Sequence, residues 1–162
     1  MKSDDFGTRM LSFTDALHWR EMLREEGARV VLTNGCFDIL HRGHVEYLRQ
    51  SAEMGDALIV AVNSDASVRQ LKGPSRPVNR EQDRAFLLAA LRPVDAVFVF
   101  AGPRLAGEIR ELRPDVYTKA GDYTADSLDS SEAEALREVG AQIRILDFIA
   151  GHSTTSILSR QG

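Results

Sequence analysis

The stretch TNGCFDILHRGH, residues 33–44, follows an apolar run, RVVL. It gathers a cysteine, an aspartate, two histidines and two glycines into twelve residues. Three chemistries compete for it. Cys36, His41 and His44 could ligate zinc, but a structural zinc site wants four ligands and the chain has no second Cys/His cluster. The histidines could simply face solvent. The third chemistry is phosphate binding. A spacing of three places both imidazoles on one side of a helix's first turn, where free amides and the dipole favour anions. Gly43 between them lets a phosphate approach the backbone closely. Cys36, flanked by Gly35 and Phe37 with no obvious base nearby, reads as a packing or backbone position rather than a nucleophile.

Other groups carry a functional and a bland reading side by side. Lys72 and Arg76 flank a Gly-Pro-Ser turn in RQLKGPSRP, a composition that suits a lid closing on anions as well as a solvated loop. Arg84 has Leu87, Leu88 and Leu91 three, four and seven residues beyond it. It therefore lies on an apolar stripe, with Arg80 on the same side. A guanidinium there is costly unless paired, which leaves an internal salt bridge or a ligand phosphate. Ser153, Thr154 and Thr155 in GHSTT open a helix, as ordinary caps or as hydroxyls that also hold phosphates.

Around these residues the chain alternates strands and helices. Apolar runs at 29–34, 57–63, 96–100, 115–121 and 142–148 predict five strands. Helices are expected over 12–26, 43–54, 79–91, 104–112, 131–138 and 153–161, with residues 73–79 as a loop. Asn79 and Gln82 resemble a capping box. Residues 1–11 are expected to be loose and 12–162 to form a single domain. Alternating elements imply an α/β fold, a Rossmann-like open parallel five-stranded sheet with helices on both faces. Ligands then bind beyond the carboxyl ends of the strands. There the chain places Asn34–His44, then Asn63 and Asp65, then Lys119, Gly121 and Asp122, then GHSTT. The clustering outweighs any single motif.

The 162 residues suit one domain with a real core, and 43% hydrophobic with 27% charged content is ordinary for a globular protein. A net charge of −4 argues against a general nucleic-acid binder. No apolar run spans a bilayer, and MKSDDFGTRM lacks the apolar middle of a signal peptide. With a single cysteine, these features predict a cytoplasmic protein. Neither G-x-G-x-x-G after the first strand nor a P-loop occurs, which disfavours dinucleotide oxidoreductases and P-loop enzymes.

GCFDILHRGH resembles the G-x-F-D…H-x-G-H signature of the cytidylyltransferase-like nucleotidyltransferases. TNGCFDILHRGH, VAVNSDASVRQLKGPSRPVN, KAGDY and STTSI together, in matching order over about residues 15–160, are most similar to the adenylyltransferases that make ADP-glycero-manno-heptose. The resemblance implies that ATP and D-glycero-D-manno-heptose 1-phosphate give ADP-heptose and pyrophosphate, with Mg²⁺ held mainly by the ATP phosphates, for lipopolysaccharide inner-core synthesis. It implies that His41, His44, Lys72 and Arg84 serve the reacting phosphates. Asn34, Gly35, Cys36, Phe37, Gly43, Lys119, Gly121, Asp122, Ser153, Thr154 and Thr155 would bind nucleotide. Asn63, Asp65 and Arg76 would face the acceptor, and Asp38 would either orient the loop or help with magnesium.

Related cytidylyltransferases carry an arginine five residues before the serine. This chain has Phe148 there, as the heptose enzymes do, which argues against the alternative of CTP with glycerol 3-phosphate. A nucleotide-binding regulatory domain without catalysis is the reading from another class. The resemblance further implies a homodimer. Many relatives are fused to a sugar kinase, and with about thirty residues before the first strand the kinase is expected on a separate protein.

Overall fold

The computed structural model describes residues 5–121, 127–147 and 154–160. Its elements in chain order are a 3₁₀ turn Phe6–Arg9, α1 Phe13–Glu25, β1 Val30–Gly35, α2 Arg42–Ala52, β2 Ala57–Asn63, α3 Asp65–Lys72, α4 Glu81–Ala89, β3 Ala96–Phe100, α5 Ala106–Leu112, β4 Val116–Ala120, α6 Ser130–Val139, β5 Gln142–Leu146 and α7 Thr154–Ser159. All strand pairs are parallel, in the order β3-β2-β1-β4-β5. The order reverses at β1. The chain winds out through β2 to β3, then crosses to β4 and β5, so β1 and β4 flank the switch point where open α/β sheets bind ligands. No described helix is long and apolar enough to cross a membrane.

β1 and β2 lack polar alternation because helices cover both their faces. Leu32, Ile59 and Phe98 point to one layer with Ala16, Ile109 and Leu136. Val31, Leu58, Val60 and Val62 point to the other, with Leu48, Ala85, Leu88 and Ala89. Between α2 and the sheet lies a buried hydroxyl network. Thr33 Oγ1 and the Tyr47 hydroxyl are 2.6 Å apart, Tyr47 donates to Thr118 Oγ1 at 3.1 Å, and Ser51 Oγ lies 2.9 Å from Thr118 Oγ1. It fixes the helix that carries the histidines against both strands of the switch point.

Several elements differ from expectation. Asp65–Lys72 is a helix, capped by Ser64 accepting from the Ser67 amide, where no helix was read. The capping box at Asn79 does not form. Arg80 is the N-cap without a side-chain bond, and the Asn79 side chain is engaged elsewhere, its Nδ2 donating to the Asp38 backbone carbonyl at 2.8 Å. In α2 the buried face is Gly43, Tyr47, Leu48 and Ser51, and Val45 is exposed. In α1 it is Ala16 and Arg20, and Met22 is exposed. Residues 5–11, read as loose, hold a 3₁₀ turn and then pair with β3, the Leu11 amide donating to the Val97 carbonyl at 2.8 Å.

Candidate active site

A cavity of about 370 Å³ opens at the carboxyl ends of β1, β2 and β4. Its wall includes Asn34, Gly35, Cys36, Phe37, Asp38 and His44 from the β1 exit. Asn63, Lys72 and Arg76 come from the β2 side, and Lys119, Arg104 and Glu132 from the β4 side. Three segments far apart in sequence converge here because the parallel sheet ends all its strands on one edge.

The β1 exit is a tight turn. Phe37 sits at φ 48°, a left-handed conformation uncommon for a large side chain. Its ring lies where a side chain on Gly35 would be, with a Cβ there meeting the ring at 3.0 Å. The same ring meets His44 edge-on at 5.3 Å. His41 and His44 stack, centroids 3.8 Å apart and planes 22° apart. His41 is the N-cap of α2, extended at φ −141°, and makes no side-chain cap bond. The first amides of α2 are therefore uncapped by a side chain, which suits an anion. Burial, then the neighbouring His41 and Lys72, lower the His44 pKa to about 4, so its imidazole is neutral at pH 7. Its Nδ1 is buried with no hydrogen-bond partner.

Asp38 organises the loop above. Its carboxylate, almost fully buried, accepts from the Val78 amide at 2.8 and 3.0 Å, the Asn79 amide at 3.0 Å and Arg76 Nε at 2.6 Å. Burial pushes its pKa up, but the Asn79 and Val78 amides and Arg76 outweigh burial and hold it below the usual carboxylate range. Of the two readings open for Asp38, orientation of the loop is the one its contacts express. Arg76 makes this contact through Nε and also lines the cavity. Lys72 is exposed on the wall and enters no ion pair with a described residue.

Arg84 is fully buried. Nε donates to the Asn79 carbonyl at 2.9 Å, Nη1 to the carbonyls of Cys36 at 2.7 Å and Asn63 at 2.8 Å, and Nη2 to Asp65 at 2.8 Å. Four of its five N–H groups are thus taken. Of the two readings open in sequence, the internal ion pair is present, and Arg84 lies behind the cavity wall rather than on it. It ties the exits of β1 and β2 to the start of α4. Asp65 serves this pair, and Asn63 Nδ2 donates to Ser67 at 2.7 Å.

On the β4 side, Lys119 is drawn down in pKa by burial, against the pull of Glu132. Gly121 turns at φ 80° with its amide on the Leu146 carbonyl at 2.9 Å. Asp122 and Ser153 lie outside the described residues, as do the side chains of Thr154 and Thr155 and all of Phe148. Tyr47, Arg104 and Glu132 are wall residues that sequence reading did not single out. Glu132 carried a legible signal: Ala135 and Leu136 follow at three and four residues, the spacing that marked Arg84. Among the described residues no group of three or more His, Cys, Asp or Glu is placed to hold a metal ion.

The Cytidylyltransferase-like family matches residues 32–160 of this chain. The chain belongs to that family. The bifunctional protein HldE of Methylococcus capsulatus is 52% identical over 136 residues, 84% of this chain and 28% of that protein. The HldE of Alkalilimnicola ehrlichii is 43% identical over 159 residues, 98% of this chain and 33% of that protein. The chain thus spans about a third or less of these relatives' length.

Among solved structures, the lipopolysaccharide core biosynthesis protein from Thermoplasma volcanium superposes with a TM-score of 0.62 at 29% identity, covering 76% of this chain and 98% of that one. A pantoate-β-alanine ligase from Francisella tularensis, complexed with β-γ ATP and β-alanine, shares the fold at 13% identity and a TM-score of 0.56. That match covers 85% of this chain and 66% of the other.

Proposed function

We propose that this chain transfers AMP from ATP to D-glycero-D-manno-heptose 1-phosphate, forming ADP-heptose and releasing pyrophosphate. The observation that carries the reading is the cavity at the β1/β4 switch point, with the neutral His44 in its wall and His41 stacked against it at the start of α2, which no side chain caps. Its support is the family, the HldE relatives and the Thermoplasma protein's place in lipopolysaccharide core biosynthesis.

The sugar phosphate's oxygen attacks the α-phosphorus as the bond to the pyrophosphate bridge breaks. No protein nucleophile is needed, so catalysis is positioning and charge neutralisation. His44, with His41 against it, donates to the triphosphate, and the α2 amides face its charge. Lys72, the last residue of α3 and without an ion-pair partner among the described residues, approaches once the anion is present. Arg84 acts by holding the exits of β1 and β2 in register. Lys119, with Asp122 and the GHSTT hydroxyls, completes the nucleotide side. Mg²⁺ fits as an ion carried by the phosphates, since Asp38 and Asp65 are already engaged within the protein. When bound it screens the phosphate charge.

The same reading includes a sugar-kinase reaction upstream that supplies the 1-phosphate, a cytoplasmic location where ATP is available, and a homodimer. The test is pyrophosphate release from a panel of nucleotides and phosphorylated acceptors. ATP with the heptose 1-phosphate is expected to turn over. Turnover only with CTP and glycerol 3-phosphate overturns the assignment, and ATP binding without turnover on any acceptor points to a non-catalytic domain.

A further inference from the structure

Glu132 sits on the first turn of α6, 5% exposed, in the wall of the cavity. One interaction is a backbone hydrogen bond with Leu105, while Oε2 is buried with no partner. Leaving a buried carboxylate oxygen unused is costly, and such groups ordinarily find a partner. Burial raises the carboxyl's pKa, nearby Lys119 opposes this, and Asp129 adds to it.

Helix packing does not require a carboxylate here. The neighbouring face of α6 is Ala135 and Leu136 in the apolar core, and the α6 N-terminus is already capped by Asp129, which accepts from the Ser131 and Glu132 amides. The carboxylate serves the fold through its bond with Leu105, and Oε2 is left without a partner in a residue of the cavity wall.

The geometry points to Glu132 as a specificity-determining acceptor that takes a hydrogen bond from an uncharged hydroxyl or amino group of a bound substrate. This rests on the proposed reaction for the identity of the substrates. The chemistry of the occupant follows from charge. A phosphate against a buried carboxylate is repelled, so the phosphates belong at the His44 and Lys72 end. What reaches Glu132 must carry O–H or N–H donors. Both substrates offer them: the ribose and adenine of the nucleotide, or the hydroxyls of the heptose. Lys119 and Arg104 beside it keep the carboxylate's charge tolerable.

The test is steady-state kinetics of E132Q and E132A with each substrate varied, and melting temperatures as a check on folding. E132Q keeps the shape and loses the charge. It is expected to raise KM for one substrate about tenfold with kcat within threefold, and E132A to raise the same KM further. Analogues lacking one donor identify the source: 2′-deoxy-ATP, 3′-deoxy-ATP and purine riboside triphosphate on the nucleotide arm, and mannose 1-phosphate on the sugar arm. The decisive analogue costs the wild type about tenfold but E132Q no more than twofold.

Both KM values within twofold of wild type for both variants overturn the inference. So does a loss shared equally by every analogue together with a lowered melting temperature, the signature of a structural role. A wild-type protein that turns over no substrate overturns the proposed reaction alone. Calorimetric titration of ATP and of heptose 1-phosphate into wild type and E132Q then decides: one affinity weakened about tenfold supports Glu132, and both unchanged overturn it.

Discussion

The imidazoles of His41 and His44 stack face to face, 3.8 Å between centroids, at the start of α2. Two imidazoles this close cannot both carry charge cheaply, and burial reinforces the effect on His44. His44 is therefore neutral when the site is empty, and it can gain a proton or donate a hydrogen bond when an anion arrives.

This sets the pH dependence of the empty protein's stability. The His44 pKa falls from its ordinary 6.5 to about 4 on folding, so between those values the unfolded chain binds more protons. His44's contribution is complete above about pH 6.5 and lost as pH falls towards 4, on the order of 1–3 kcal/mol. Denaturant midpoints measured from pH 7 to 4 should fall, and the fall should be shallower in H44Q. Equal slopes would remove the role assigned to His44.

ATP binding should run the linkage in the opposite direction. An anion beside His44 raises its pKa, so binding takes up protons at pH 5–6 by the same linkage, as an order-of-magnitude window. Calorimetry in two buffers of different ionisation enthalpy measures the uptake. In catalysis the interaction is needed most as charge develops. H44A is expected to lower kcat by roughly 10²–10³ while weakening ATP binding less than about tenfold. Equal losses in kcat and affinity would contradict that.

Much of this site was legible because its signals are local. Two histidines after a glycine-rich strand exit announce a helix start, and Arg84 four residues before Leu88 announces its own burial. Glu132 gave the same kind of signal. What was not legible depends on distant segments meeting. The Asp38 contacts with Arg76, Val78 and Asn79 join residues about forty apart, and they consume the asparagine that otherwise reads as a helix cap. Helix α3 escaped because DASVRQLK offers only Val68 and Leu71 as an apolar stripe.

Asp38 anchors the segment 76–79. D38N keeps the size and removes the charge that Arg76 and two amides are arranged around. Breaking one partner of so buried a pair costs about 3–5 kcal/mol at the upper end. A lowered melting temperature with KM rising for both substrates is expected, because the loop that follows α3 and carries Arg76 loses its anchor. A variant as stable as wild type would mean the carboxylate is not the anchor.

Arg84 separates two roles by a conservative change. If the guanidinium gripped a phosphate, R84K would keep the charge and much of the activity. The contacts instead form a fork to three carbonyls and Asp65, which a lysine cannot reproduce. R84K should therefore lose nearly as much kcat/KM as R84A, and both should be destabilised by about 2–4 kcal/mol through unpaired buried groups. The comparison is read from denaturant unfolding alongside kinetics. An R84K protein with near-wild-type stability and activity would return Arg84 to the phosphates and remove it from the framework between β1, β2 and α4.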